Sequence, residues 1–208
     1  IDPSKIQTVH NAIEPVNKSN LNFKRSVDEK VVTFLGRLTF QKGPEYFLEA
    51  AKLVLEKDDN VRFVMAGNGD MLDELIKRVA ELKIGTKFHF TGFLKGSEVD
   101  RMFQLSDVFV MPSVSEPFGL VPLEAMRSNV PVIISKQSGV AEVLKNAIKV
   151  DFWDVEGMAD AIYGLLHYNS LSNMFIKNGL EEVDNLKWEH AAKEVKAEYE
   201  SLLLNKKN

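Results

Sequence analysis

Val31-Val32-Thr33-Phe34-Leu35-Gly36-Arg37-Leu38-Thr39-Phe40-Gln41-Lys42-Gly43-Pro44 is the stretch on which the fold turns. Its first five residues are β-branched, aromatic or aliphatic without a break, which is the pattern of a strand covered on both faces. Gly43 and Pro44 then open a helix, because proline is tolerated in a first turn where its missing N–H leaves no bond unmade. Phe47, Ala50, Ala51 and Val54 follow at i, i+3, i+4 and i+7 and make one apolar helical face. A buried strand feeding straight into an amphipathic helix is the first half of a βαβ unit.

The same rhythm continues downstream. Residues 61–66 form the next apolar run, and Leu72, Leu75, Ile76 and Val79 the next helical face. Residues 87–91 and 108–111 predict a third and a fourth strand, and a helix over about 119–128 leads into a fifth at 130–134. Beyond them Val155, Met158, Ala159, Ile162 and Leu165, then Trp188, Ala191, Ala192, Val195, Tyr199 and Leu202, are helical stripes with no strand between them. The expected fold class is α/β: a Rossmann-like, doubly wound parallel sheet with helices on both faces and a helical C-terminal tail. Residues 1–29, polar and punctuated by asparagines, read as a linker or edge segment. Residues 30–186 read as the sheet domain and 187–208 as a C-terminal helix, frayed at its last four residues.

Composition narrows the function. The chain has 208 residues, 45% hydrophobic and 27% charged, enough for one large packed domain and too apolar for wholesale disorder. Its net charge of −4 argues against nucleic acid as a partner. It has no cysteine, which removes disulfides, thiol nucleophiles, zinc fingers and iron–sulfur clusters, and fits a cytoplasmic address. No apolar run approaches the roughly 18 to 20 residues that span a bilayer. The first residues, Ile1-Asp2-Pro3-Ser4-Lys5, carry no start methionine or signal pattern and read as a cut inside a longer protein.

In doubly wound sheets ligands sit beyond the carboxyl ends of the strands, and three strand ends here carry chemistry. After the first, Gly36 allows close backbone approach, and Arg37 and Lys42 flank a loop feeding a helix. Arginine clamps phosphate oxygens as a fork and lysine as a point charge, so the pair suits a phosphate; the alternative is a solvated loop whose charges face water. After the second, Gly67-Asn68-Gly69-Asp70 resembles the start of a dinucleotide fingerprint, but Leu72 occupies the third glycine position. A turn with Asp70 capping the next helix is favoured over a nicotinamide site.

The third is Ser113-Val114-Ser115-Glu116-Pro117-Phe118-Gly119-Leu120-Val121-Pro122-Leu123-Glu124-Ala125-Met126. Pro117 keeps Glu116 extended, Gly119 permits a tight turn, and Pro122 sits in a first helical turn. The amides of Gly119, Leu120 and Val121 are then free donors at a helix start, an anion cradle. Glu116 and Glu124 beside it suit hydroxyl hydrogens, and vicinal sugar hydroxyls present such pairs. Phosphate with sugar on either side describes a nucleotide-sugar.

With these motifs assembled, residues from about Val9 to Trp188 resemble the donor-binding, C-terminal half of a GT-B glycosyltransferase of family four (group 1), the large retaining group that includes bacterial glycogen synthase-like enzymes. The carriers are Gly36-Arg37-(x)4-Lys42-Gly43, the Ser106-Asp107 pair before the fourth strand, and Glu116-(x)7-Glu124. Where the family often has Asn-Gly-Val-Asp, this chain has Asn11-Ala12-Ile13-Glu14.

The resemblance implies a hexosyl transfer from a nucleoside-diphosphate sugar to an unspecified acceptor, with Glu116, Arg37 and Lys42 as catalytic residues. Arg37 and Lys42 would hold the diphosphate and stabilise it as it leaves; Glu116 would face the transferred sugar. Phe118, Gly119 and Leu120 would present backbone to sugar and phosphate, with Val121 beside them and Glu124 on the ribose hydroxyls. Gly36, Gly67 and the Phe93-Leu94 segment complete the donor site, the last two bordering the base. No metal and no cofactor beyond the donor are implied, and no Asp-x-Asp triplet occurs. The acceptor-binding first domain would be a missing partner, carrying any peripheral membrane contact, and the isolated half would be inactive alone. A non-catalytic nucleotide-sugar-binding module and an NAD-dependent oxidoreductase domain are the alternatives. His10, His89, His167 and His190 are scattered and read as structural.

Overall fold

A computed structural model describes residues 2–14 and 27–205 of the chain. The interior of the expected linker (15–26) and the final residues 206–208 of the expected fray lie outside the described residues. Among the described residues six strands form one sheet: β1 (Lys30–Leu35), β2 (Val61–Ala66), β3 (Phe88–Gly92), β4 (Val108–Met111), β5 (Val132–Ser135) and β6 (Ile148–Val150). All neighbours are parallel, in the order β3-β2-β1-β4-β5-β6. The chain order reverses between β1 and β4, the switch point where loops from the two sides diverge and leave a crevice.

Among the described residues eight α-helices accompany these strands: α1 (Pro44–Lys57), α2 (Leu72–Glu81), α3 (Ser97–Leu105), α4 (Val121–Arg127), α5 (Val140–Val143), α6 (Val155–His167), α7 (Asn169–Asp184) and α8 (Trp188–Asn205). Alternation along the strands sorts the core into two layers. Val108, Val110 and Ile133 join Phe47, Leu75 and Met158 under α1, α2 and α6. Phe109, Met111, Val132 and Ile134 face the other way, against Phe103, Leu123, Val140 and Val183 of α3, α4, α5 and α7. The doubly wound α/β architecture expected from the apolar runs is the one found, with the five expected strands shifted by one or two residues in places and a sixth, the three-residue β6, added beyond them. α7 has only Gly179 and Val183 buried, a stripe too thin to stand out in sequence. No α8 residue with a described side chain is buried.

The Ser106-Asp107 pair serves the sheet, at the end away from the loops that follow the strands. The Asp107 carboxylate accepts from the Val31 amide (2.8 Å), and the Ser106 hydroxyl donates to the Met102 carbonyl (2.8 Å) and is hydrogen-bonded to the Thr33 hydroxyl (2.9 Å). These bonds pin β4 beside β1 at the amino end of both strands.

Candidate functional site

The ends of β1, β2 and β3 are tied by main chain. The Gly36 amide donates to the Ala66 carbonyl (3.0 Å) and the Gly67 amide to the Gly92 carbonyl (2.8 Å). Gly67 has φ +145, and a side chain there would run into the Gly36 carbonyl, so only glycine allows the two loops to meet. One turn on, the Leu38 amide donates to the Asn68 carbonyl (3.0 Å) and the Met71 amide to the Leu38 carbonyl (3.1 Å). The Gly67-Asn68-Gly69 turn is therefore a buttress for the loop carrying Arg37 and Lys42. Asp70 does not cap α2: the N-cap is Met71, with no side-chain bond. Tertiary contacts to Leu38 shift the helix start past the aspartate.

The loop after β1 is stitched in turn to the loop after β4. The Val114 and Ser115 amides both donate to the Gln41 carbonyl (3.0 and 3.2 Å). Gly43, at φ +61, lies against the Pro112 carbonyl where a Cβ would clash. Across this seam the Lys42 ammonium pairs with the Glu116 carboxylate, and the two side chains are only 21% and 12% exposed. A third loop closes on the second: the Gly139 amide donates to the Glu116 carbonyl (2.9 Å) and the Val140 amide to the Phe118 carbonyl (2.8 Å). Gly119 turns at φ +98 against the Glu116 side chain and Met111. The amides of Gly119, Leu120 and Val121 donate to no protein acceptor among the described residues. Arg37 is exposed and makes no ion pair or hydrogen bond among the described residues.

Glu124 lies one turn into α4 and is half-buried. Burial pushes its carboxyl above the usual carboxylate range, with Asp100 adding to the rise and Arg127 opposing it. Phe93 stands 75% exposed just beyond Gly92, while Leu94 packs partly against the second core layer. No hydrogen bond or ring contact joins Phe93 to Arg37, Lys42 or Glu116 among the described residues. The structure thus brings Gly36 against Gly67, Lys42 against Glu116, and Phe118 and Gly119 onto the Glu116 loop. One neighbour escaped the sequence reasoning: the His10 ring stacks on Phe118 with centroids 6.0 Å apart. It is carried there by a segment whose Ala12 and Ile13 are buried. The Ile13 amide bonds to the Leu186 carbonyl (3.1 Å), and Arg127 donates to the Glu14 carbonyl (2.6 Å). No spacing rule links His10 to Phe118.

Chemically, this rim offers two cations, unpaired amides at a helix start and two carboxylates, a set able to hold an anion and the hydroxyls attached to it. A separate cavity of about 280 Å³ lies on the flank of the sheet between α1 and α2, lined among others by Glu45, Glu74 and Arg78. Among the described residues no group of three or more histidine or carboxylate side chains is gathered as a metal site, and no helix is long and apolar enough to cross a membrane.

A doubly wound parallel sheet with basic and acidic loops meeting across its switch point defines a Rossmann-like α/β domain. Residues 17–182 match the family described as Glycosyl transferases group 1, and the chain belongs to that family. It is 36% identical over 205 residues to an uncharacterized glycosyltransferase of Methanocaldococcus jannaschii, covering 91% of this chain and 52% of that protein. It is 33% identical over 184 residues to the D-inositol 3-phosphate glycosyltransferase of Corynebacterium urealyticum, covering 83% and 43%. The chain therefore spans about half the length of these relatives. Among solved structures, the C-terminal domain of the group 1 family protein LpcC from Francisella tularensis superposes with a TM-score of 0.69 at 29% identity, over 74% of this chain and 84% of that one. The Anabaena protein HepE, solved with UDP and glucose, shares the fold with a TM-score of 0.75 at 20% identity, over 83% and 48%.

Proposed function

We propose that this chain is the donor-binding half of a retaining, metal-independent glycosyltransferase that moves a hexosyl group from a nucleoside-diphosphate sugar to an acceptor held by a second domain. The observation that carries the proposal is the seam between the loops after β1 and β4, where Lys42 meets Glu116 at the switch point of the sheet. In this assignment Arg37, Lys42 and the amides of Gly119, Leu120 and Val121 take the diphosphate. Its negative charge grows as the bond to the sugar breaks, and preorganised cations and amides stabilise growing charge most effectively. Glu116 faces the sugar carbon as positive charge develops there. Glu124 accepts from the ribose hydroxyls, and Gly36, Gly67, Phe93 and Leu94 border the nucleoside. Phe118 and Val121 shape the wall between sugar and phosphate.

The fold common to the group 1 relatives and the half-length match support this assignment. So does the placement of both motif glutamates around one helix start. It extends to a cytoplasmic address, where nucleotide-sugars are at hand, to residues 30–186 as the binding domain, and to an isolated chain that binds donor without turnover. Calorimetry of the chain with UDP, ADP, GDP and NAD tests it: at least one nucleoside diphosphate binds and NAD does not. Binding of NAD alone would overturn the donor site, and sugar transfer by the 208 residues alone would overturn the inactivity of the half.

A further inference from the structure

The two loop cations are not equivalent. Arg37 stands exposed without a partner among the described residues, while the Lys42 ammonium is already held by Glu116. The pair is pinned from both sides. The Gln41 carbonyl takes the amides of Val114 and Ser115, Gly43 sits on the Pro112 carbonyl, and Glu116 is tied through its own carbonyl to the Gly139 amide. Neither loop can swing aside without breaking these bonds. A phosphate arriving at Lys42 therefore meets a neutralised ammonium and a carboxylate of its own sign at contact distance, and the side chains are covered enough that water screens little of this.

We propose that Glu116 is an internal counter-ion that occupies Lys42 in the unliganded site and is displaced by the donor diphosphate, so that arrival of the diphosphate frees the carboxylate to face the sugar. This rests on the donor-site assignment above. Lys42 has one anionic partner before and after the exchange. Glu116 passes from paired to available only when a leaving group is in place, which makes it a positioning residue for Lys42 in the empty state. The opposite arrangement, in which Glu116 merely holds the ammonium in place for phosphate, predicts the opposite sign for its removal.

The test is calorimetry with inorganic pyrophosphate and with whichever nucleoside diphosphate binds, on the wild-type chain, Glu116→Gln, Glu116→Ala and Arg37→Ala, each checked for an unchanged melting curve. Removing the competitor tightens pyrophosphate roughly five- to tenfold in both Glu116 variants. Amine acylation read by peptide mass spectrometry shows Lys42 more reactive in Glu116→Gln than in wild type and protected by pyrophosphate. If pyrophosphate binding depends on Arg37 but is unchanged or weaker in both Glu116 variants, the exchange is overturned and the donor site stands. If the wild-type chain binds neither probe, or neither Arg37→Ala nor either Glu116 variant changes its affinity, the donor-site assignment fails and the exchange falls with it.

Discussion

Glu124 combines a burial effect with the ribose contact proposed for it. Its carboxyl is raised above the ordinary 4.5, chiefly by burial, so the folded chain takes up its proton before the unfolded one does. At neutral pH the ionised group costs stability, and the cost is relieved as pH falls through the raised value. Glu124→Gln therefore stabilises the empty chain at pH 7, by a gain that fades on acidification. In the proposed assignment sugar hydroxyls donate to the ionised form, so nucleoside diphosphate affinity of the wild type should drop on acidification through the same window. In Glu124→Gln affinity is lower at pH 7 by about tenfold and less sensitive to pH. Calorimetry across pH checks both, and superimposable wild-type and variant profiles would remove Glu124 from the ribose. At this scale the sequence showed residue types and missed partnerships. Arg37, Lys42, Glu116 and Glu124 stand out because strand ends carry chemistry, but nothing in a linear pattern says which cation neutralises which carboxylate across 74 positions. His10 was hidden for the same reason: its approach to Phe118 depends on how a distant segment docks against α4 and α7.

Among the elements, the turn after β2 is the most exacting. Gly67→Ala would force a side chain into the Gly36 carbonyl at a φ that side chains rarely adopt, and should cost about 2–4 kcal/mol of stability. Gly96→Ala meets nothing within 4 Å at φ +53 and should cost about 1 kcal/mol. Chemical denaturation of both variants measures the difference, and equal costs would contradict the buttress role of the turn. Strands covered on both faces were easy to read because their burial demands unbroken apolar runs, as in Val31 to Leu35. The thin stripe of α7 and the true start of α2 were not, since one is set by packing on Met126 and the other by main-chain bonds to Leu38.

For the whole molecule, two apolar layers hold the sheet and α8 takes almost no part in either. Trp188, Val195, Tyr199, Leu202 and Leu203 are each more than 40% exposed. Ending the chain after Lys187 should therefore leave the melting temperature within about 2 °C of the 208-residue chain. A larger fall by circular dichroism would mean that α8 supports the core. At the carboxyl end of the sheet the loops after β1, β2, β4 and β5 are bound to one another through main-chain atoms. The central claim is that these loops grip a diphosphate between Arg37 and Lys42. Its most direct test is titration calorimetry of a nucleoside diphosphate into the wild-type chain, Arg37→Ala and Lys42→Ala. Each substitution should weaken binding by roughly ten- to a hundredfold, ~1.5–3 kcal/mol, with the melting temperature unchanged in Arg37→Ala and lowered in Lys42→Ala, which leaves the covered Glu116 carboxylate without its counter-ion; affinities equal to wild type in both variants would contradict it.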